Sequence, residues 1–191
     1  MTYGVDVSEN NGRVDWQAVA DAGQKFAIVR SSYGRYSKDE EFLRNVDGAH
    51  AAGLQCGAYH YSYALTPEQA RQEAWNCKQV IEEAGVLLEL PVFFDMEDAD
   101  DYKARRGFDF SRENITAICR AFLEEIKPLD CGVYTALSWL DNYVDWQNLG
   151  CAIWNAQWNV TDDFKGYMWQ YTDNLIIGGK KFDGNIVYHD L

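Results

Sequence analysis

The strongest constraint on this chain is a repeated unit. A short apolar, β-favouring run is followed by a stretch at helical spacing, and the pair recurs at least five times in 191 residues. Strand-like runs fall at 3–8, 25–32, 55–64, 92–95, 131–135, 151–155, 167–171 and 182–187. The spacing predicts helices over 15–22, 40–52, 66–84 and 111–127, and a short one over 138–143. Asp15, Thr66 and Ser111 stand where N-caps belong, Pro67 sits at a first helical position, and Gly53 and Gly85 sit past helix ends. Strands joined by helical crossovers make a parallel sheet. The expected fold is α/β: one domain over 1–191, closing into a flattened TIM-like (β/α) barrel of roughly eight strands with shortened connections.

The run PVFFDMEDADD at 91–101 concentrates the chemistry. Val92, Phe93 and Phe94 read as strand, and acids follow. Side chains alternate across a strand, so Asp95 and Glu97 share a face, with a rise of roughly 6–7 Å between them. Burial and mutual repulsion raise one pKa of such a pair and leave the other group ionised. One acid can then protonate a leaving oxygen while the other stabilises positive charge, which is the division of labour glycoside hydrolysis needs. The bland alternative is a solvated acidic loop, and Asp98, Asp100 and Asp101 read as that. In YGVDVS, Val5 and Val7 face one side and Asp6 the other, at a strand's C-terminal end. Functional residues of parallel barrels gather at those ends. Here they include Asp6, Tyr59, Tyr61, Asp95, Glu97, Tyr134, Trp154, Trp158, Gln170 and Asp183. Aromatic faces beside carboxylates suit sugar rings; for each aromatic, plain core packing is the competing reading.

Composition narrows the partners. A net charge of −13 argues against nucleic acid and anionic membranes as partners. The chain has no 18-residue apolar run and no basic–apolar leader at its start. The five cysteines form no C-x-x-C pair, and the three histidines lack metal-binding spacing. They read as reduced thiols and, at His60, a hydrogen-bonded core histidine. No cofactor and no metal are expected.

The motifs GVDVSENNG (4–12), GAYHY (57–61), PVFFDMED (91–98), GVYT (132–135), IWNAQW (153–158), WQYT (169–172) and FDGN (182–185) occur in this order along nearly the whole chain. In that series the chain resembles the lysozymes of glycoside hydrolase family 25. The resemblance implies a flattened βα barrel that cleaves the β-1,4 bond between N-acetylmuramic acid and N-acetylglucosamine in peptidoglycan. It also implies Glu97 as general acid, Asp95 as its partner, and Asp6 and Asp183 as flanking acids of the cleft. Attack by the substrate's own acetamido group, by a carboxylate, or by an inverting water all stay open. Two departures stand out. IIGGKKFDGN replaces the family's usual closing pattern of G-x-x-G and V-D-x-N, and Trp158 stands where a tyrosine is common. The implied site of action is the bacterial cell wall, reached by phage-type release or as the catalytic domain of a longer chain with a separate wall-binding module. The competing readings are a glycan-binding barrel without turnover and a hydrolase of another N-acetylated glycan such as chitin.

Overall fold

The structure, a computed structural model, describes residues 1–189 and 191. Among these, strands β1 (Thr2–Val7), β2 (Phe26–Tyr33), β3 (Ser37–Lys38), β4 (Gln55–Tyr61), β5 (Val92–Asp95), β6 (Cys131–Ala136), β7 (Ala152–Ala156), β8 (Met168–Ile177) and β9 (Lys180–Val187) form one sheet. β1 pairs with β2 on one side and β9 on the other, so the sheet closes into a barrel. The two-residue β3 lies outside the ring, antiparallel to β2. Helices α1 (Trp16–Asp21), α2 (Phe42–Ala51), α3 (Pro67–Ala84), α4 (Arg112–Glu125) and α5 (Leu137–Asn142) follow strands, as the repeat predicts.

The caps explain where the helices start. Asp15, Thr66 and Ser111 accept the backbone N–H of Ala18, Gln69 and Asn114, and Gly85 ends α3 in the left-handed region. The helix expected from residue 40 begins at Phe42 instead. The N–H groups of Glu40 and Glu41 are held by the Glu9 and Asp39 carboxylates, which fixes those residues outside the helix.

Within the ring, parallel order breaks at one strand. β9 runs antiparallel to both β8 and β1. Ile177 pairs with Lys180 across a two-residue turn, Gly178–Gly179, whose φ values are 57° and 79°. Two positive-φ residues give the turn twist that matches paired strands, and glycine takes it without a Cβ clash. Such a turn reverses the chain where a helix would have returned it in parallel.

Alternation sorts the strand side chains into two cores. Outward residues such as Val5, Val29, Phe94, Met96 and Val133 pack against the helices, with Ile115, Ile118 and Phe122 of α4. Inward residues Phe26, Ile28, Phe93, Tyr134, Trp154, Met168 and Val187 fill the lower barrel. Phe93 fits because its neighbour on β6 is glycine. A Cβ on Gly132 would stand 2.4 Å from the Ala152 carbonyl oxygen and 2.7 Å from the Phe93 ring. The thiols of Cys56, Cys77, Cys119, Cys131 and Cys151 are free, and the first three are buried.

Gly132→Ala should therefore destabilise the fold by about 1–3 kcal/mol through overpacking. Urea unfolding reads this out directly, and a midpoint equal to the parent's would mean that the barrel floor has room to spare.

Candidate active site

A cavity of about 310 Å³ opens at the C-terminal ends of the parallel strands. Asp6, Tyr59, Tyr61, Asp95, Glu97, Tyr134, Trp154, Gln170 and Asp183 line it, with Ser8, Asn10, Asn11 and Arg30. A larger cavity, about 730 Å³, lies at the opposite end beside Cys131 and Cys151, but it gathers no comparable set of facing acids and rings.

Strand register carries the two central acids to the same place. β5 ends at Asp95, yet the ladder continues past it: Ser62 N–H donates to Asp95 O (3.1 Å) and Met96 N–H to Tyr134 O (3.0 Å). Thr135 Oγ1 donates to Met96 O at 2.6 Å. The alternation thus persists, with Met96 fully buried on the helix side and Asp95 and Glu97 both facing the cavity.

Behind the acids runs a chain of amides and rings. Tyr134 Oη donates to Gln170 Oε1 (3.0 Å), and Gln170 Nε2 donates to Asp6 Oδ2 (2.9 Å). Asn185 Nδ2 donates to the same oxygen (2.7 Å), and Trp154 Nε1 donates to Asn185 Oδ1 (2.9 Å). Asp6, Tyr134 and Trp154 are therefore fixed before any ligand arrives. Arg30 enters the cavity from β2, but its guanidinium is already held by Asp39 (2.8 Å) and Glu9 (3.0 Å).

Four carboxyls in one small space cannot all ionise. Burial first, then the Asp183 charge, pushes the Asp6 carboxyl up to about 8, against the donated bonds of Asn185 and Gln170. Burial and Glu97 hold Asp95 well above the usual carboxylate range, and its buried Oδ1 has no hydrogen-bond partner among the described residues. Glu97 is half-buried. Burial raises it to about 6, with Lys103 opposing and Asp100, Asp183 and Asp98 adding to the rise. Asp183 is raised by burial and Asp173.

Trp158 is the one sequence-selected residue that does not line the cavity. It is 63% exposed, beyond β7, and its Nε1 donates to Gln170 Oε1 (3.1 Å), which ties it to the rim. Asp98 and Asp100 are not simply solvated. Asp98 accepts the N–H groups of Lys103 (2.7 Å) and Ala104 (2.9 Å), and Asp100 accepts Tyr63 Oη (3.2 Å). His60 is buried on the helix side, with Nδ1 2.8 Å from Ser32 Oγ and Nε2 3.5 Å from Glu73. Sequence reasoning assigned no role to three contributors. Arg30 and Asn185 were accessible to it, since each lies two residues from an inward position on its own strand. Lys103 sits in a loop with no periodicity to betray it.

The sequence and the fold have known counterparts. The model of the family Glycosyl hydrolases family 25 matches residues 5–180. Lysozyme M1 of Streptomyces globisporus is 25% identical over 94% of this chain and 65% of its own length. The autolytic lysozyme of Clostridium acetobutylicum is 25% identical over 92% of this chain and 52% of its own length. The chain thus spans about half to two thirds of these relatives. Among solved structures, the modular autolysin LytC from Streptococcus pneumoniae superposes with a TM-score of 0.87 at 22% identity, covering 98% of this chain and 46% of that one.

The raised Asp6 carboxyl has a thermodynamic consequence. Its native pKa of about 8 exceeds the ordinary 3.8, so the native state holds a proton that the unfolded state releases. Its contribution is present below the unfolded pKa and is lost as pH rises toward 8. Asp6→Asn keeps an oxygen for Asn185 and Gln170 and removes the charge. It should be more stable than the parent by about 1–2 kcal/mol near pH 8, and close to equal near pH 4. Thermal melts across that range provide the check; a pH-independent difference would remove Asp6 as the titrating group.

Proposed function

The chain belongs to glycosyl hydrolases family 25, and from that premise we propose that it is a peptidoglycan hydrolase, a lysozyme cleaving the β-1,4 bond between N-acetylmuramic acid and N-acetylglucosamine. The observation that carries the reading is the cavity itself. Two carboxyls from one strand end, Asp95 and Glu97, meet Asp6 and Asp183 among tyrosines and a tryptophan at the C-terminal mouth of the barrel. The likeness to two lysozymes supports the same chemistry.

In this reading Glu97 is the general acid. A carboxyl raised to about 6 still carries its proton in mildly acidic solution and can hand it to the glycosidic oxygen. Asp95 accepts the N–H of the 2-acetamido group, whose carbonyl oxygen attacks the anomeric carbon as the bond breaks. The carboxyls repel one another's ionisation in the empty cavity. Positive charge developing on the sugar removes that penalty, so the cluster binds the transition state more strongly than the ground state. Asp6 and Asp183 flank that charge. Tyr59, Tyr61, Tyr134 and Trp154 shape the walls, Gln170 braces Asp6 from behind, and Trp158 stands at the rim.

The partner is the glycan strand of the bacterial cell wall, and residues 1–191 act as one catalytic unit. With a net charge of −13 the chain has no long-range attraction to an anionic wall. Affinity therefore rests on contacts in the cleft or on a separate wall-binding module.

Glu97→Gln should slow loss of turbidity of purified peptidoglycan by about 10²–10⁴-fold. Wild-type activity should fall as pH rises through about 6, the pKa of Glu97. Mass spectrometry of the products should show reducing-end N-acetylmuramic acid. Retained wall binding with no lysis by either protein would favour a glycan-binding barrel, and cleavage of chitin oligomers alone would move the substrate.

A further inference from the structure

Lys103 is an unusual residue for its position. It follows the acid run, in the loop between β5 and α4, yet it is only 1% exposed. Buried lysines are rare unless paired, because taking an ammonium out of water is costly. Here Nζ donates to the carbonyl oxygens of Ser62 (2.5 Å) and Glu97 (2.6 Å). Ser62 lies just past β4; its N–H donates to Asp95 O and its Oγ to Glu73 Oε2 (2.8 Å). One ammonium thus joins the end of β4 to the backbone of Glu97. The Lys103 main chain is anchored too, by its own N–H to Asp98 (2.7 Å).

We propose that Lys103 is the positioning residue of the acid loop, fixing Glu97 through its own carbonyl and supplying the positive charge that lets Asp95 and Glu97 share one cavity. The inference rests on the assignment of Glu97 as general acid. Neither Asp98 of the same loop nor Arg30 of β2 does both tasks. Asp98 holds backbone N–H groups but adds negative charge, and Arg30 is committed to Glu9 and Asp39.

The electrostatic surroundings are specific. Glu97 faces Asp98 and Asp100 of its own loop, Asp95 of β5 and Asp183 of β9, with Asp6 of β1 behind them. The phenols Tyr61 and Tyr134 also adjoin it. Lys103 faces Asp95, Glu97 and Asp98, with Glu73 of α3 and Cys119 of α4 on the helix side. Lys103 opposes the rise of both Asp95 and Glu97, whereas Arg30 of β2 opposes that of Asp95 and is not among the groups acting on Glu97. Without its charge the proton on Glu97 should be held more tightly.

The test compares Lys103→Met and Lys103→Arg with wild type in pH–rate profiles of peptidoglycan lysis. In Lys103→Met the alkaline limb should move up by about one pH unit, the effect of losing a nearby opposite charge. Its kcat/KM at the optimum should fall about tenfold to a hundredfold as Glu97 drifts. Lys103→Arg keeps the charge, so its limb should stay in place while the rate drops. Should Lys103→Met fail to fold, Lys103→Gln removes the charge while keeping N–H donors, with the same expected limb shift. An unmoved limb in the neutral variant, or an equal shift in Lys103→Arg, would overturn the proposal. Titration of the Glu97 carboxyl by ¹³C NMR separates this inference from the lysozyme reading. A raised midpoint in a protein that never lyses peptidoglycan would keep the Lys103 coupling and discard the activity. Lysis with an unmoved midpoint would do the reverse.

Discussion

A closed barrel has a single inward face, and strand alternation decides which residues stand on it. That constraint governs the rest of this molecule. In the lower barrel the inward positions are rings and aliphatic side chains, and where two would collide one strand supplies glycine, as Gly132 does for Phe93. Two residues further along the same strands the inward positions turn polar: Asp6 after Gly4, Asp95 after Phe93, Gln170 after Met168. The floor holds the wall rigid, and the wall aims the acids. Site and core are successive layers of one stack, separated by a few ångströms of strand rise.

The electrostatic design follows from the depth of that stack. Carboxyls near the floor are desolvated, and each makes its neighbours harder to ionise. Amide donors from Gln170 and Asn185 fix Asp6 without supplying a charge, and Lys103 contributes its charge from behind the loop. The outcome is graded: the deepest acids hold their protons hardest, while the half-buried Glu97 comes close to the range in which it can release one. Folding alone would favour fewer acids here. Their presence fits the general pattern in which a reactive site is less stable than the scaffold around it.

Much of this was legible in the sequence, for definable reasons. Period-2 and period-3.6 patterns are local, so strand and helix positions, caps and the shared face of Asp95 and Glu97 could be read directly. Closure into a βα barrel followed from the repeated crossover. The reversal of β9 was written in IIGGKK but could not be separated from a loop without knowing what it pairs with. Trp158 looked equivalent to Trp154 in the motif, yet only Trp154 lies on the strand. Lys103 was invisible for a physical reason: a lysine after an acidic run is usually a solvated partner, and only the folded loop buries it against two carbonyls.

The reversed last strand has a consequence for when the molecule becomes competent. β9 is the seam: it alone joins β8 to β1, and it carries Asp183 into the cavity and Asn185 against Asp6 behind it. The bond from Asn185 to Asp6 links residues 179 positions apart. Pairings of such separation are slow to form, because the entropy of closing the loop is lost before the contact is gained. A chain still emerging from the ribosome therefore holds its two central acids long before it holds a closed cavity. Any event that frays the seam, even briefly, opens the barrel and dismantles the acid cluster together. Strand order thus ties a complete acid cluster to the placing of the last strand.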